Sequence, residues 1–182
     1  GQSAGDRLSY GTVATEVMYD NLMNKFEYGN MNDPDVYIDE NNRRMMTNIR
    51  NSFGRLAGGL IAESKMDSAI AVIDRCFELV PPDIVPYEFF AIQIASNYFE
   101  AGAAEKGTEI FRDAMTDFND ELNYFFSLEP KFRQTQDINQ EIQRNMFYLQ
   151  RMERTARQNG AEELAAEIGE QMQQHFESYN SN

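Results

Sequence analysis

Two stretches of this chain carry the same spacing of apolar and small residues, and that repetition constrains the fold more than any other feature. In the first, Phe53, Leu56, Ala57 and Leu60 lead into a turn at Glu63-Ser64-Lys65-Met66-Asp67, then Ala69, Ile73 and Cys76, and the run stops at Pro81. In the second, Ala91, Ile94, Ala95, Tyr98, Gly102, Gly107, Phe111 and Ala114 stand where Phe53, Leu56, Ala57, Leu60, Ser64, Ala69, Ile73 and Cys76 stood. Steps of three and four put each set on one helical face, and two such helices joined by a tight turn fold into an antiparallel hairpin. Small residues at Ala57, Ala69, Ala95 and Gly107 let the paired helices approach closely. Gly107 follows Ala69 by 38 residues, against about 34 in a tetratricopeptide repeat. The Pro81 to Pro86 connection absorbs the excess.

The expected fold is therefore all-α: a tetratricopeptide-like stack of about three antiparallel hairpins preceded by one N-terminal helix. Residues 1–11, small and polar, read as a flexible lead-in. Residues 12–182 read as one helical-repeat domain. Within it, Val13, Val17, Met18, Leu22 and Phe26 predict an amphipathic helix over 12–27, with Thr12 as its N-cap. Gly29-Asn30-Met31-Asn32-Asp33-Pro34-Asp35 predicts a structured turn over 28–39. Asp39 then caps a long helix carrying Met45, Met46, Ile49 and Phe53, which opens the first hairpin at 40–81; Asp67 caps its second helix. The second hairpin spans 86–128, with Pro86 in a first helical turn and Gly102 as a C-cap residue. A third, over 130–179, breaks at Asn159-Gly160 and matches less well, since Glu153 and Gly169 fall where Ala57 and Ile73 stood. A more polar terminal repeat accounts for that.

Charge narrows the partners. Sixteen Lys and Arg against thirty Asp and Glu give a formal net charge of −14, and the basic residues form no stripe. Phosphate neutralisation, the main source of nucleic-acid affinity, is therefore not expected. No apolar run approaches the roughly 20 residues of a spanning helix, so direct membrane insertion is not expected either. The chain begins at Gly1 without Met, which reads as a piece of something longer.

Few residues carry chemistry. Asp33, Asp35, Asp39 and Asn41 resemble the opening of a calcium loop, but Tyr37, Ile38 and Arg44 stand where a ligand, Gly and Glu are required. A turn followed by a helix cap explains them better. With one His (His175) and one Cys (Cys76), on different hairpins, neither a transition-metal site nor a nucleophilic triad is available. Cys76 reads as a small core residue and His175 as a helix-terminal or exposed side chain. No cofactor is expected. Arg43 and Arg44, with Arg50 and Arg55, stand out in an acidic chain, and pairing with Asp33, Asp35, Asp39 and Glu40 is the expected role. The aromatics Tyr87, Phe89, Phe90, Tyr124, Phe125 and Phe126 read as core, as a groove lining, or as a contact with a neighbouring domain. The polar density from Tyr28 to Arg44 exceeds what a turn requires. It makes Tyr28, Asn30, Asn32, Asp33, Tyr37, Asn42, Arg43 and Arg44 the candidate binding surface.

The segments Val17-Met18-Tyr19-Asp20-Asn21-Leu22-Met23-Asn24-Lys25-Phe26, Tyr28-Gly29-Asn30-Met31-Asn32-Asp33 and Asp39-Glu40-Asn41-Asn42-Arg43-Arg44-Met45 carry a family resemblance. So do Asp67-Ser68-Ala69-Ile70 and Glu121-Leu122-Asn123-Tyr124-Phe125-Phe126-Ser127-Leu128. The chain resembles the C-terminal soluble region of a bacterial multi-spanning membrane family, domain of unknown function 2723. The resemblance implies a tetratricopeptide-like tail behind a membrane part similar to lipid-dependent protein O-mannosyltransferases. It implies the periplasmic face of the inner membrane, and a catalytic part outside these residues. Asp67-Ser68-Ala69 also resembles a short bacterial O-glycosylation acceptor.

The expected function is thus a non-catalytic protein-interaction or scaffolding module, partnered by a protein segment or by its own membrane domain. A glycan-binding or glycan-processing domain using carboxylates beside Arg43 and Arg44 is one alternative. A purely structural packing or dimerisation module is the other.

Overall fold

The computed structural model describes residues 13–180, except the side chains of 179 and 180. The expected lead-in and the Thr12 cap lie outside them. The described residues form an all-α fold without strands. Its helices are α1 (Thr15–Tyr19), α2 (Glu40–Ala62), α3 (Met66–Leu79), α4 (Phe89–Glu100), α5 (Ala104–Ser127), α6 (Pro130–Arg133), α7 (Gln136–Gln158) and α8 (Glu162–Asn180). A π-helical segment, Asp20–Lys25, continues α1.

Three pairs fold back on themselves: α2 on α3, α4 on α5, and α7 on α8. Their turns share one chemistry. Ser64, Gly102 and Gly160 each take a left-handed conformation, with φ of 61°, 85° and 78°. In each turn the following N–H reaches back five residues: Lys65 to the Leu60 carbonyl at 2.9 Å, Ala103 to Tyr98 at 2.8 Å, Ala161 to Ala156 at 2.9 Å. The inner bond repeats as well, from Ser64 to Ile61, Gly102 to Phe99 and Gly160 to Arg157. This double closure satisfies carbonyls that the last helical turn leaves without partners. The equivalence of Leu60, Tyr98 and Ala156 is thus a matter of bonding as well as apolar spacing.

Successive pairs also touch: α2 packs on α4, α4 on α7, and α5 on both α7 and α8. Helix α4 lies between two groups of core residues. Ile94, Tyr98 and Ala101 face the first group, with Phe53, Leu56, Ile73 and Cys76. Ala91, Ile92, Ala95 and Phe99 face the second, with Phe111, Phe118, Leu149 and Ile168. A helix buried on two sides must be apolar nearly all round, as Phe89–Glu100 is. Tyr98 also donates to the Asp74 carboxylate at 2.7 Å, which in turn holds Lys106, so α3, α4 and α5 meet at one polar point.

Several local expectations are corrected. The N-terminal helix is shorter than 12–27 and changes winding at Asp20. Its cap residue is Ala14, without a side-chain bond, and Val17 and Phe26 are exposed. The docking face is instead Thr15 and Leu22. Thr15 approaches α2 where Gly59 has no side chain: a Cβ there would lie 2.9 Å from the Thr15 methyl. Asp67 does not cap α3, which begins one residue earlier behind Lys65; its carboxylate lies in the first turn, where it favours the helix dipole. Pro86 precedes α4, whose cap is Glu88, accepting from the Phe90 N–H at 3.0 Å. Pro130 opens a separate short helix, α6, before α7.

Candidate functional site

The Tyr28 to Arg44 surface divides into structural and exposed residues. Tyr28 donates its hydroxyl to the Leu22 carbonyl at 2.9 Å, and its ring packs 6.1 Å from that of Phe53. Asp33 builds the turn: its carboxylate accepts from the Asp35 N–H at 3.0 Å and its carbonyl from Val36 at 3.1 Å. Asp39 caps α2 through the Asn42 N–H at 2.8 Å. Asn30, Asn32, Tyr37, Asn42, Arg43 and Arg44 remain exposed, Tyr37 at 88%. The expected pairing fails: among the described residues no ion pair joins Arg43 or Arg44 to Asp33, Asp35, Asp39 or Glu40. Side chains on an exposed helical turn gain little from such pairs and keep their rotamer entropy instead. The segment is an open polar ledge.

Arg50 departs most from expectation. Rather than pairing with the turn carboxylates, it is fully buried beneath the Pro81–Glu88 connection. Its guanidinium donates to the carbonyls of Val80 at 2.9 Å, Val85 at 2.5 Å and Pro86 at 2.9 Å, and lies 3.4 Å from Glu88. Burial lowers its pKa and Glu88 opposes that shift. A connection with three prolines has few N–H donors of its own, so one planar fork satisfies three carbonyls that no helix can. The signal was phase: Arg50 falls between Met46 and Phe53 on the buried face of α2.

The two residues with nucleophile or ligand character are both core. Burial pushes the Cys76 thiol up to about 12, which removes its thiolate at neutral pH. His175 is 4% exposed rather than terminal or exposed as expected. It lies 2.8 Å from the Asn119 side-chain oxygen, over the ring of Phe126, and burial lowers its pKa. Again phase was the clue, since His175 continues the stripe of Leu164, Ile168 and Met172 on α8. Among the described residues no group of three His, Cys, Asp or Glu has the geometry to hold a metal ion.

His175 forms part of the floor of an apolar groove where α5, α7 and α8 converge. Phe126, Ile142, Met146, Phe147, Met172 and Phe176 line it around about 330 Å³. Phe147 and Phe176 stand half open to solvent, at 50% and 53%. Of the aromatics singled out in the sequence, Phe126 reaches this groove, Tyr87 is core, and Tyr124 is exposed. The wall follows from the weak third repeat. Gly169 leaves a gap facing Glu153, where the first hairpin closes with Ala57 and Ile73, and a second hollow lined by Glu153, Gly169, Met172 and Phe176 adjoins the groove.

No family model, curated protein or solved structure matches the chain.

Proposed function

We propose that this chain is a non-catalytic interaction module of tetratricopeptide-like hairpins that holds an apolar segment of another protein against its third hairpin. The observation that carries this reading is the groove between Phe126, Ile142, Met146, Phe147, Met172 and Phe176. Two half-exposed phenylalanines beside a flexible pair of methionines form a surface that gains by being covered, and Met adapts its shape to different occupants. The reading moves the favoured binding surface away from Tyr28 to Arg44, where the ledge offers exposed polar groups without a concavity. The family resemblance supplies the proposed setting: the periplasmic tail of a membrane-bound, glycosyltransferase-like bacterial protein.

The test uses the 182-residue chain and a Phe147→Glu, Phe176→Glu variant as baits for envelope proteins. The reading expects a protein retained by the native chain and lost by the variant, with unchanged circular dichroism. Retention by both, or dimerisation of the native chain through the groove with no other protein held, overturns it.

A further inference from the structure

The first two hairpins each present an outer face, and each face is covered by the first helix of the next pair. Helix α4 lies along both α2 and α3, and α7 along both α4 and α5. Close contacts fix the two crossings. At the first, a Cβ on Gly54 would fall 2.8 Å from Ile94 Cγ1, and the Tyr98 ring stacks on that of Phe77 with centroids 6.5 Å apart. At the second, the Tyr148 ring lies 5.3 Å from that of Phe118, and the Arg151 guanidinium sits 4.9 Å over the Phe89 ring.

The same positions recur on the third hairpin, where no helix among the described residues covers them. Counted from the left-handed residues Gly102 and Gly160, Phe89 and Phe147 both stand thirteen places before, and Phe118 and Phe176 sixteen places after. Phe118 is 3% exposed beneath α7, whereas Phe176 is 53% exposed. Met172 holds the place of Cys76 and Ala114, both fully buried. The groove between Phe147 and Phe176 is therefore the interface on which α4 and α7 dock, continued one step further along the stack. One departure opens it: Gly169 stands where Ile73 and Phe111 fill the wall, and only Glu153, at 4.0 Å, approaches a Cβ placed there.

The covering helices state what an occupant must carry. Their side chains that reach back lie four residues apart: Ile94 and Tyr98 on α4, and Tyr148 on α7, with Met152 at the frame position of Ile94. Side chains at that spacing share one helical face. Charge adds a second requirement. Glu153 and Glu177 line the adjoining hollow, Glu153 already accepting from Arg157 at 2.6 Å and Glu177 from Gln173 at 3.2 Å. Neither the hollow nor the groove has a Lys or Arg in its lining, so cationic flanks on the occupant complement this rim.

We propose that the third hairpin receives an amphipathic α-helix of the partner protein, docked as α4 and α7 dock on the first two hairpins. The helix carries apolar side chains at i, i+4 and i+8 and Lys or Arg along its edges. Its first anchor meets Phe176 as Tyr148 meets Phe118, its second lies against Gln150 as Ile94 lies against Gly54, and its third stands beside Gln173 as Tyr98 stands beside Phe77. This names the occupant of the groove and rests on the interaction-module reading.

The test is a ¹H–¹⁵N NMR titration of the whole chain at about 0.15 M salt, which screens diffuse attraction between lysines and an acidic surface. The probe is acetyl-KAAKYAAKIAAKYAAKA-amide, whose Tyr, Ile and Tyr fall four residues apart. One control, acetyl-KAAKAYIYAKAAKAAKA-amide, keeps the composition and spreads the anchors round the helix. The other, acetyl-KAAKYAAKIPAKYAAKA-amide, keeps the anchors and breaks the helix. Shifts concentrated at residues 142–150 and 172–177 are expected, with both controls at least about fivefold weaker. Phe147→Ser should weaken the probe about tenfold, as loss of an aromatic anchor does, while Tyr37→Ser, at a more exposed aromatic on the ledge, should leave it within about twofold. Scattered shifts, or equal effects of Phe147→Ser and Tyr37→Ser, overturn the proposal. Equal binding of the helical and proline peptides, both lost with Phe147→Ser, overturns the helical occupant alone and leaves the interaction reading standing. So does a helical probe that fails to bind a chain still retaining a protein through Phe147 and Phe176. Concentration-dependent shifts at the same residues in the chain alone assign the face to a second copy and overturn both.

Discussion

The ring of Phe99 lies directly on the backbone of Gly107. A Cβ at that glycine would fall 2.6 Å from Phe99 Cε2 and 2.8 Å from Cδ2, well inside van der Waals contact. Phe99 is itself buried against Phe111, their rings 5.3 Å apart, so it has no room to withdraw. Gly107→Ala therefore sets two effects against each other. The helix gains about 1 kcal/mol of intrinsic propensity, while overpacking of a closed core costs about 1–3 kcal/mol. Overpacking wins because the obstruction is a ring rather than a flexible tip. Urea denaturation should show a lower midpoint for Gly107→Ala. Gly107→Ala with Phe99→Leu should recover part of the loss, which neither single change predicts alone.

Arg50 offers a sharper contrast between charge and shape. Arg50→Ala leaves the carbonyls of Val80, Val85 and Pro86 without their shared donor and opens a cavity under the connection. Loss of about 3–5 kcal/mol is expected, the range for breaking a buried charged network. Arg50→Lys keeps the charge but cannot fork across three acceptors, so it should recover less than half of that stability. Hydrogen exchange makes the measurement local: protection should fall first at residues 80–88, before the α7 and α8 pair is affected.

The repeat frame was legible because it rests on short-range rules. Small residues at Ala69 and Gly107 stand at positions fully or nearly enclosed by neighbouring helices, and Ser64 and Gly102 end their helices in the left-handed conformation expected of such stops. What was not legible depended on partners distant in sequence. Residue type alone makes Arg50 a surface cation and His175 a helix-end imidazole, although both keep phase with apolar neighbours on their helices. Burial of a polar side chain is decided by whether another segment supplies acceptors, and Val80, Val85 and Asn119 are 30 to 56 residues away. The groove was partly visible. Glu153 and Gly169 stand in the sequence as misfits in the third repeat, but a gap in a repeat becomes a groove only once α5 and Phe126 are laid beside it.

Histidine burial has a pH consequence whose sign is fixed. Desolvation holds the folded-state pKa of His175 below its ordinary value of 6.5. A neutral His175 therefore contributes stability that is fully present above about pH 6.5, the unfolded value, and is lost as pH falls toward and through the lower folded value. His175→Gln, which can still meet the Asn119 amide, should flatten stability between about pH 7 and 5 relative to the native chain. Thermal melts of both proteins across that window test this. Parallel curves would mean that His175 is free to protonate where it lies.

Asp117 works in the opposite direction. Its folded-state pKa is raised, by burial first and then by Asp113, Glu121, Asp120 and Asp83. For a carboxylate shifted upward the folded state binds the proton more tightly, so ionisation imposes a destabilisation that is fully present above the folded pKa. That destabilisation disappears as pH falls to the unfolded range near 3.9. Asp117→Asn should therefore raise the melting temperature at pH 7, and the advantage should vanish by about pH 3.5. The repulsive part is exposed to solvent, so about 1 M salt should shrink the gain at pH 7 while leaving the burial part in place. Charge crowding therefore predicts an Asn variant that is the more stable protein at pH 7, by a margin that salt reduces in part and acid removes.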